Sequence, residues 1–67
     1  MKCVKIVIET ENDAFQPEPN DELSRILREL AHNIATKRTL EQPIRDVNGN
    51  KVGRLRIIAC KHEEKWE

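Results

Sequence analysis

The sequence predicts an α+β fold, a single β-α-β-β domain in which a three-stranded antiparallel sheet of order 1-3-2 carries one helix on one face. Three observations predict it. Val4, Ile6 and Ile8 alternate with a strand period near the N-terminus. Leu23, Ile26, Leu27, Leu30, Ala31, Ile34 and Ala35 recur with a helical period. Asn48-Gly49 then separates two β-like arms and supplies the positive φ values that a tight hairpin turn needs. A right-handed crossover lays the hairpin beside the first strand, and the most apolar segment, residues 52–60, belongs in the middle.

The first strand runs from Lys2 to Glu9, rich in β-branched residues, with Cys3, Lys5, Val7 and Glu9 on its second face. Thr10 to Pro19 lacks periodicity and reads as a long loop that Phe15 pins over the end of the helix. Asn20 or Asp21 caps the helix, because a short polar oxygen there accepts from the free N–H groups of the first turn. Lys37 and Arg38 suit its negative C-terminal end. The hairpin arms are Ile44 to Val47 and Lys51 to Cys60. Val52 falls out of phase with Leu55, Ile57 and Ala59, and a bulge at Gly53 would return it to the core side. The domain therefore covers residues 1–60, and 61–67 form a charged tail ending in Trp66-Glu67.

Composition excludes several classes. At 67 residues the chain has room for one domain, and with one Phe, one Trp and no Tyr it has few large side chains for a core, which favours a homo-oligomer, most simply a dimer. No apolar run approaches the roughly 18 residues of a membrane span, and Met1-Lys2 leads straight into a strand pattern with no signal-like segment, so a cytoplasmic, non-membrane protein is expected. Twelve bases against twelve acids give no net charge. Six of the acids, Glu9, Glu11, Asp13, Glu18, Asp21 and Glu22, lie in the loop and helix start, while bases gather toward the hairpin and last strand.

If strands one and three pair with Ile8 facing Leu55, Ile6 facing Ile57 and Val4 facing Ala59, the helix covers Val4, Ile6, Ile8, Leu55 and Ile57. Val7, Ile58, Lys5 and Arg56 then share the uncovered face and form a self-association surface. The same register sets Glu9 against Arg54 and Cys3 against Cys60. The default reading of this pair is two reduced thiols; a redox-sensitive cross-link and a zinc site completed by His62 are the alternatives.

Other chemistry finds little support. The acidic loop lacks the alternating ligands, Gly and terminal Glu of a calcium loop. His32 and His62 have no visible nucleophile partner, and no Gly-rich phosphate loop is present. A non-enzyme is expected, with no catalytic residue, cofactor or metal. Nucleic-acid binding is the alternative to protein interaction, since Lys5, Arg54 and Arg56 line the open face while Arg45 and Lys51 flank the hairpin tip.

Three segments carry a resemblance: Ile8 to Phe15 (Ile-Glu-Thr-Glu-Asn-Asp-Ala-Phe), Ser24 to Ala31 (Ser-Arg-Ile-Leu-Arg-Glu-Leu-Ala) and Arg45 to Gly53 (Arg-Asp-Val-Asn-Gly-Asn-Lys-Val-Gly). Together they resemble a group of small uncharacterised proteins encoded by bacteriophages and prophages, over roughly positions 1 to 58. The resemblance implies a phage accessory product that binds a phage or host protein, with no activity or site residue carried over. The leading expectation is thus a self-associating protein-interaction module, and the alternative a nucleic-acid-binding accessory factor.

Overall fold

In the computed structural model, which describes residues 1–60, β1 (Lys2–Ile8) leads through a short 3-10 turn (Asp13–Phe15) into α1 (Pro19–Lys37), followed by β2 (Gln42–Arg45) and β3 (Lys51–Ala59). The sheet is antiparallel in the order β1-β3-β2. This is the expected small α+β domain, with the most apolar strand in the centre. The core consists of Phe15, Ile26, Leu30, Ile44, Val52 and Leu55, all at most 5% exposed. Phe15 and Leu55 are fully buried; each such side chain contributes about 1.5–3 kcal/mol relative to exposure. Phe15 pins the loop as expected, and a one-turn helix fixes it: Asn12 caps the turn by accepting the amide of Ala14 at 3.1 Å.

The helix cap lies two residues before Asn20 and three before Asp21, the caps expected. Glu18 is the cap, accepting the amide of Asn20 at 3.2 Å, and Pro19 takes the first helical position, where its missing N–H costs nothing. At the other end Arg38 adopts the left-handed conformation (φ 56°) that stops the helix.

Leu23, Ile26, Leu30 and Ile34 of the expected stripe pack on the core, but the coverage is narrower than expected. Glu22, Ile26 and Leu30 are buried, whereas Leu27 is 49% exposed, and on the sheet Val4 and Ile6 remain 55% and 44% exposed. The helix therefore leaves β1 uncovered apart from Ile8, which packs against the core at the strand's end. One helix is roughly 10–12 Å wide and strands lie about 4.8 Å apart, so it roofs about two strands of three. Its ties run to the β2 side: Glu22 accepts the amide of Val47 at 2.8 Å, and Asn33 donates to Gln42 at 3.3 Å.

The register of β1 against β3 is also corrected, by two residues. Ile6 faces Leu55, Val4 faces Ile57 and Ile8 faces Gly53. A shift of two keeps every side chain on its expected face, which is why alternation alone does not select between the registers. Gly53 does select: a Cβ there would overlap the Val7 carbonyl oxygen, so β1 approaches the only β3 position that has none. On the other side of β3, Ile44 faces Gly53 but Arg45 faces Lys51, leaving Val52 as the extra residue of a bulge. Val52 is thereby returned to the core side, 3% exposed.

The hairpin turn is one residue longer than the tight Asn-Gly turn the sequence invites. Gly49 donates to the Asp46 carbonyl at 3.0 Å and Asp46 donates to the Asn50 carbonyl at 2.9 Å. Gly49 alone takes positive φ, at 87°, as in a three-residue loop with a glycine bulge. The Asp46 carboxylate decides the choice by accepting the amides of both Asn48 and Asn50 at 2.9 Å.

Candidate nucleic-acid interface

Leu55 is buried under α1, so its β3 neighbours of opposite parity, Arg54, Arg56 and Ile58, point to the other face. Their partners on β1 point the same way: Val7 faces Arg54, Lys5 faces Arg56 and Cys3 faces Ile58. On β2, Pro43 faces Arg54, and beyond the bulge Arg45 faces Lys51. The alternation of β2 carries Arg45 to the uncovered face with Pro43. Lys5, Arg45, Lys51, Arg54 and Arg56 are thus gathered on one side of the sheet, all exposed.

None of these five cations has an acid within ion-pair distance among the described residues; the two ion pairs present both belong to Arg25 on α1, with Glu22 at 2.9 Å and Glu29 at 3.5 Å. Two like-charged pairs, Lys5 with Arg56 and Arg45 with Lys51, stand directly opposite one another across strands. Such pairs oppose sheet formation rather than support it. Arg45 is held along the hairpin by a 3.1 Å bond to the Gly49 carbonyl. A shallow hollow of about 430 Å³ lies on this face, lined by Val7, Glu9, Lys51, Val52, Gly53, Arg54 and Arg56. A neighbouring hollow, lined by Glu9, Thr10, Glu11 and Asn12 with Lys51 and Val52, has two acids and one base and offers an anion no net attraction.

Of the four residues expected to form a self-association face, Lys5, Val7 and Arg56 are exposed and Ile58 is half-buried, and all four lie on the uncovered face. Val7 is 48% exposed. The sulfurs of Cys3 and Cys60 are placed together as a disulfide, with Cα atoms 5.2 Å apart. Cys3 faces Ile58, and Cys60 instead donates its amide to Met1 at 3.2 Å, so the bond runs diagonally between the strand ends. A bond of this kind persists in oxidising surroundings; in a reducing cytoplasm the same two sulfurs are adjacent thiols. His62 lies outside the described residues, and among those described no group of three or more His, Cys, Asp or Glu is placed to hold a metal. No helix among them is long and apolar enough to cross a membrane.

Two buried acids carry more than the sequence reading gave them. Glu22 takes a two-pronged ion pair from Arg25, both contacts at 2.9 Å, as well as the Val47 amide. The Arg25 hydrogen bonds, helped by the Val47 amide and by the Arg25 charge, hold its carboxyl below the usual value of 4.5 against the opposing pull of burial. Asp46 is 4% exposed. Burial pushes its carboxyl upward, but the Asn50 amide, the Asn12 side chain at 2.7 Å, the Asn50 side chain and the Asn48 amide together outweigh that and leave it below 3.8. Both acids anchor the hairpin from behind: Glu22 ties it to α1, and Asp46 ties it to the loop after β1. The signal for Asp46 was its place two residues before Asn48 and four before Asn50, the spacing of an Asx turn; nothing in the sequence marks Asn12 as its partner.

Comparison with protein-family models, with curated proteins and with solved structures finds no match to the chain.

Proposed function

We propose that the protein is a nucleic-acid-binding accessory factor that holds the phosphate backbone of a duplex against the uncovered face of its sheet. One observation carries the reading: Lys5, Arg45, Lys51, Arg54 and Arg56 share that face without an acidic partner among the described residues, two pairs of them in direct opposition. An array that costs stability when empty is relieved by phosphates, and release of the duplex's counterions drives the association. Residues two apart on a strand are about 6.6–6.8 Å apart and strands about 4.8 Å, which presents the cations as a grid rather than as a single pocket.

Among the described residues the face carries no aromatic side chain on which bases could stack. The described aromatic residue, Phe15, is in the core, so the stacking platforms on which sheets hold single strands are not provided by the described residues. The contact proposed is to the phosphate backbone, which these cations meet whatever the sequence. The role is binding rather than catalysis, and the resemblance to phage and prophage proteins fits an accessory product of that kind.

Self-association through the same face is disfavoured by the same charges, because two copies packed face to face would set these cations against their own kind. Fluorescence anisotropy with a labelled duplex tests the reading. Binding to unrelated sequences with equal affinity, weakened by Arg54→Glu with Arg56→Glu, is expected. Equal binding by that double variant, or none by the parent protein at about 50 mM salt, would overturn it.

A further inference from the structure

We propose that two copies of the chain pair through the outer edges of their β1 strands, antiparallel about a two-fold axis at Val7. This goes beyond nucleic-acid binding and stands on a separate observation: β1 is an edge strand whose outer side pairs with no strand among the described residues and which α1 leaves uncovered. The two edges of the sheet are treated differently. β2 is four residues long, contains Pro43 and runs into the bulge, all features that discourage pairing. β1 is seven residues long with neither proline nor bulge, and it exposes Val4, Ile6 and Val7.

The backbone groups that face outward can be read from the ladder. Glu9 donates to the Val52 carbonyl at 2.7 Å and Cys60 donates to the Met1 carbonyl at 3.2 Å, so the odd-numbered residues of this segment exchange bonds with β3. The amides and carbonyls of Lys2, Val4, Ile6 and Ile8 then point away from the sheet, in the alternation of an antiparallel ladder. A partner strand must bond to these.

The sequence of the edge selects a second copy as that partner. Residues 5–9 read Lys-Ile-Val-Ile-Glu, a segment whose chemistry is matched when it is laid antiparallel on itself. With Val7 on the axis, Val7 meets the second copy's Val7 in a close, non-hydrogen-bonded pair. Ile6 faces the second copy's Ile8 in a hydrogen-bonded pair, twice over. Lys5 faces the second copy's Glu9, also twice, so each cation at the rim gains an acid. A register moved two residues toward the N-terminus would place Lys5 opposite Lys5, a repulsive pair that this one avoids. The resulting sheet has six strands, and its uncovered face still presents Arg45, Lys51, Arg54 and Arg56 of both copies on the same side.

Sedimentation equilibrium of the full chain at tens of micromolar, without nucleic acid, tests the pairing. A dimer is expected for the parent protein, monomers for Lys5→Glu and for Glu9→Lys, and a dimer again for the two combined, because the exchanged charges face each other as before. Val7→Cys is expected to give a covalent dimer on a non-reducing gel. A monomeric parent protein, or a double exchange that stays monomeric while its circular dichroism matches the parent, would overturn the proposal, as would single exchanges that remain dimeric. The nucleic-acid test rests on Arg54 and Arg56, which lie outside this contact, so failure of either proposal is read separately.

Discussion

Lys5 stands directly opposite Arg56 on the uncovered face of the sheet, and neither has an ion-pair partner among the described residues. The pair is a cost to the isolated domain. Replacing one member by an acid, Arg56→Glu, converts a like-charged cross-strand pair into an opposite one and should raise stability by roughly 0.2–1 kcal/mol. Thermal denaturation at low salt measures it. The same substitution should weaken duplex binding, so stability and binding move in opposite directions.

Gly53 is required by the approach of β1, since any Cβ there meets the Val7 carbonyl. Gly53→Ala should therefore destabilise the domain by on the order of 1–3 kcal/mol through forced displacement of β1 from β3. Urea denaturation is the check. A loss much smaller than that of an ordinary strand substitution would mean that β1 does not sit in this register.

Glu22 links α1 to the hairpin through Arg25 and the Val47 amide. Glu22→Gln keeps the shape but loses the charge-assisted bonds, and should cost about 1–3 kcal/mol, toward the lower end because Arg25 is partly screened by solvent. The pH dependence has a definite sign. Glu22 and Asp46 both titrate below their ordinary values of 4.5 and 3.8, so the stability they contribute is present above those values and is lost as pH falls through the lowered ones. Chemical denaturation between about pH 6 and 2 should show that loss, reduced in the Glu22→Gln variant.

The Cys3–Cys60 bond closes a loop of 57 residues in sequence separation. In the chain-entropy account such a closure is worth up to about 4 kcal/mol, and for a domain of this size each kcal/mol moves the melting temperature by roughly 4–8 °C. Reduction, or Cys3→Ser with Cys60→Ser, should lower the melting temperature well outside measurement error. An unchanged melting curve after reduction would show that the bond is not formed in solution.

Much of the fold is legible in the sequence because period-2 and period-3.6 patterns each name an element, and the Asn-Gly turn joins two of them. The faces of the strands follow for the same reason, which is how Lys5, Arg54 and Arg56 are placed together before any coordinates. What alternation does not carry is position along a strand. A two-residue shift of β1 along β3 keeps every side chain on its face, and only the backbone approach at Gly53 selects the register. Helix coverage is less legible, because Leu27 belongs to the apolar stripe yet lies exposed, while the acid Glu22 is buried. The reason is long-range: Val47 and Arg25 supply the partners that make a buried carboxylate tolerable, and neither is marked by spacing. Arg45 reaches the basic face by the alternation of β2, but Lys51 joins it only through the bulge at Val52, whose consequence for that face appears once both strands are aligned.

The central claim is that the uncovered face binds phosphate backbones, and the salt dependence of duplex binding tests it most directly. Four or five phosphate contacts give a slope of log K against log salt of roughly −3.5 to −4.5. That slope, cut by about two contacts in Arg54→Glu with Arg56→Glu, is the predicted result. A slope near zero, or one that the two substitutions leave unchanged, would contradict it.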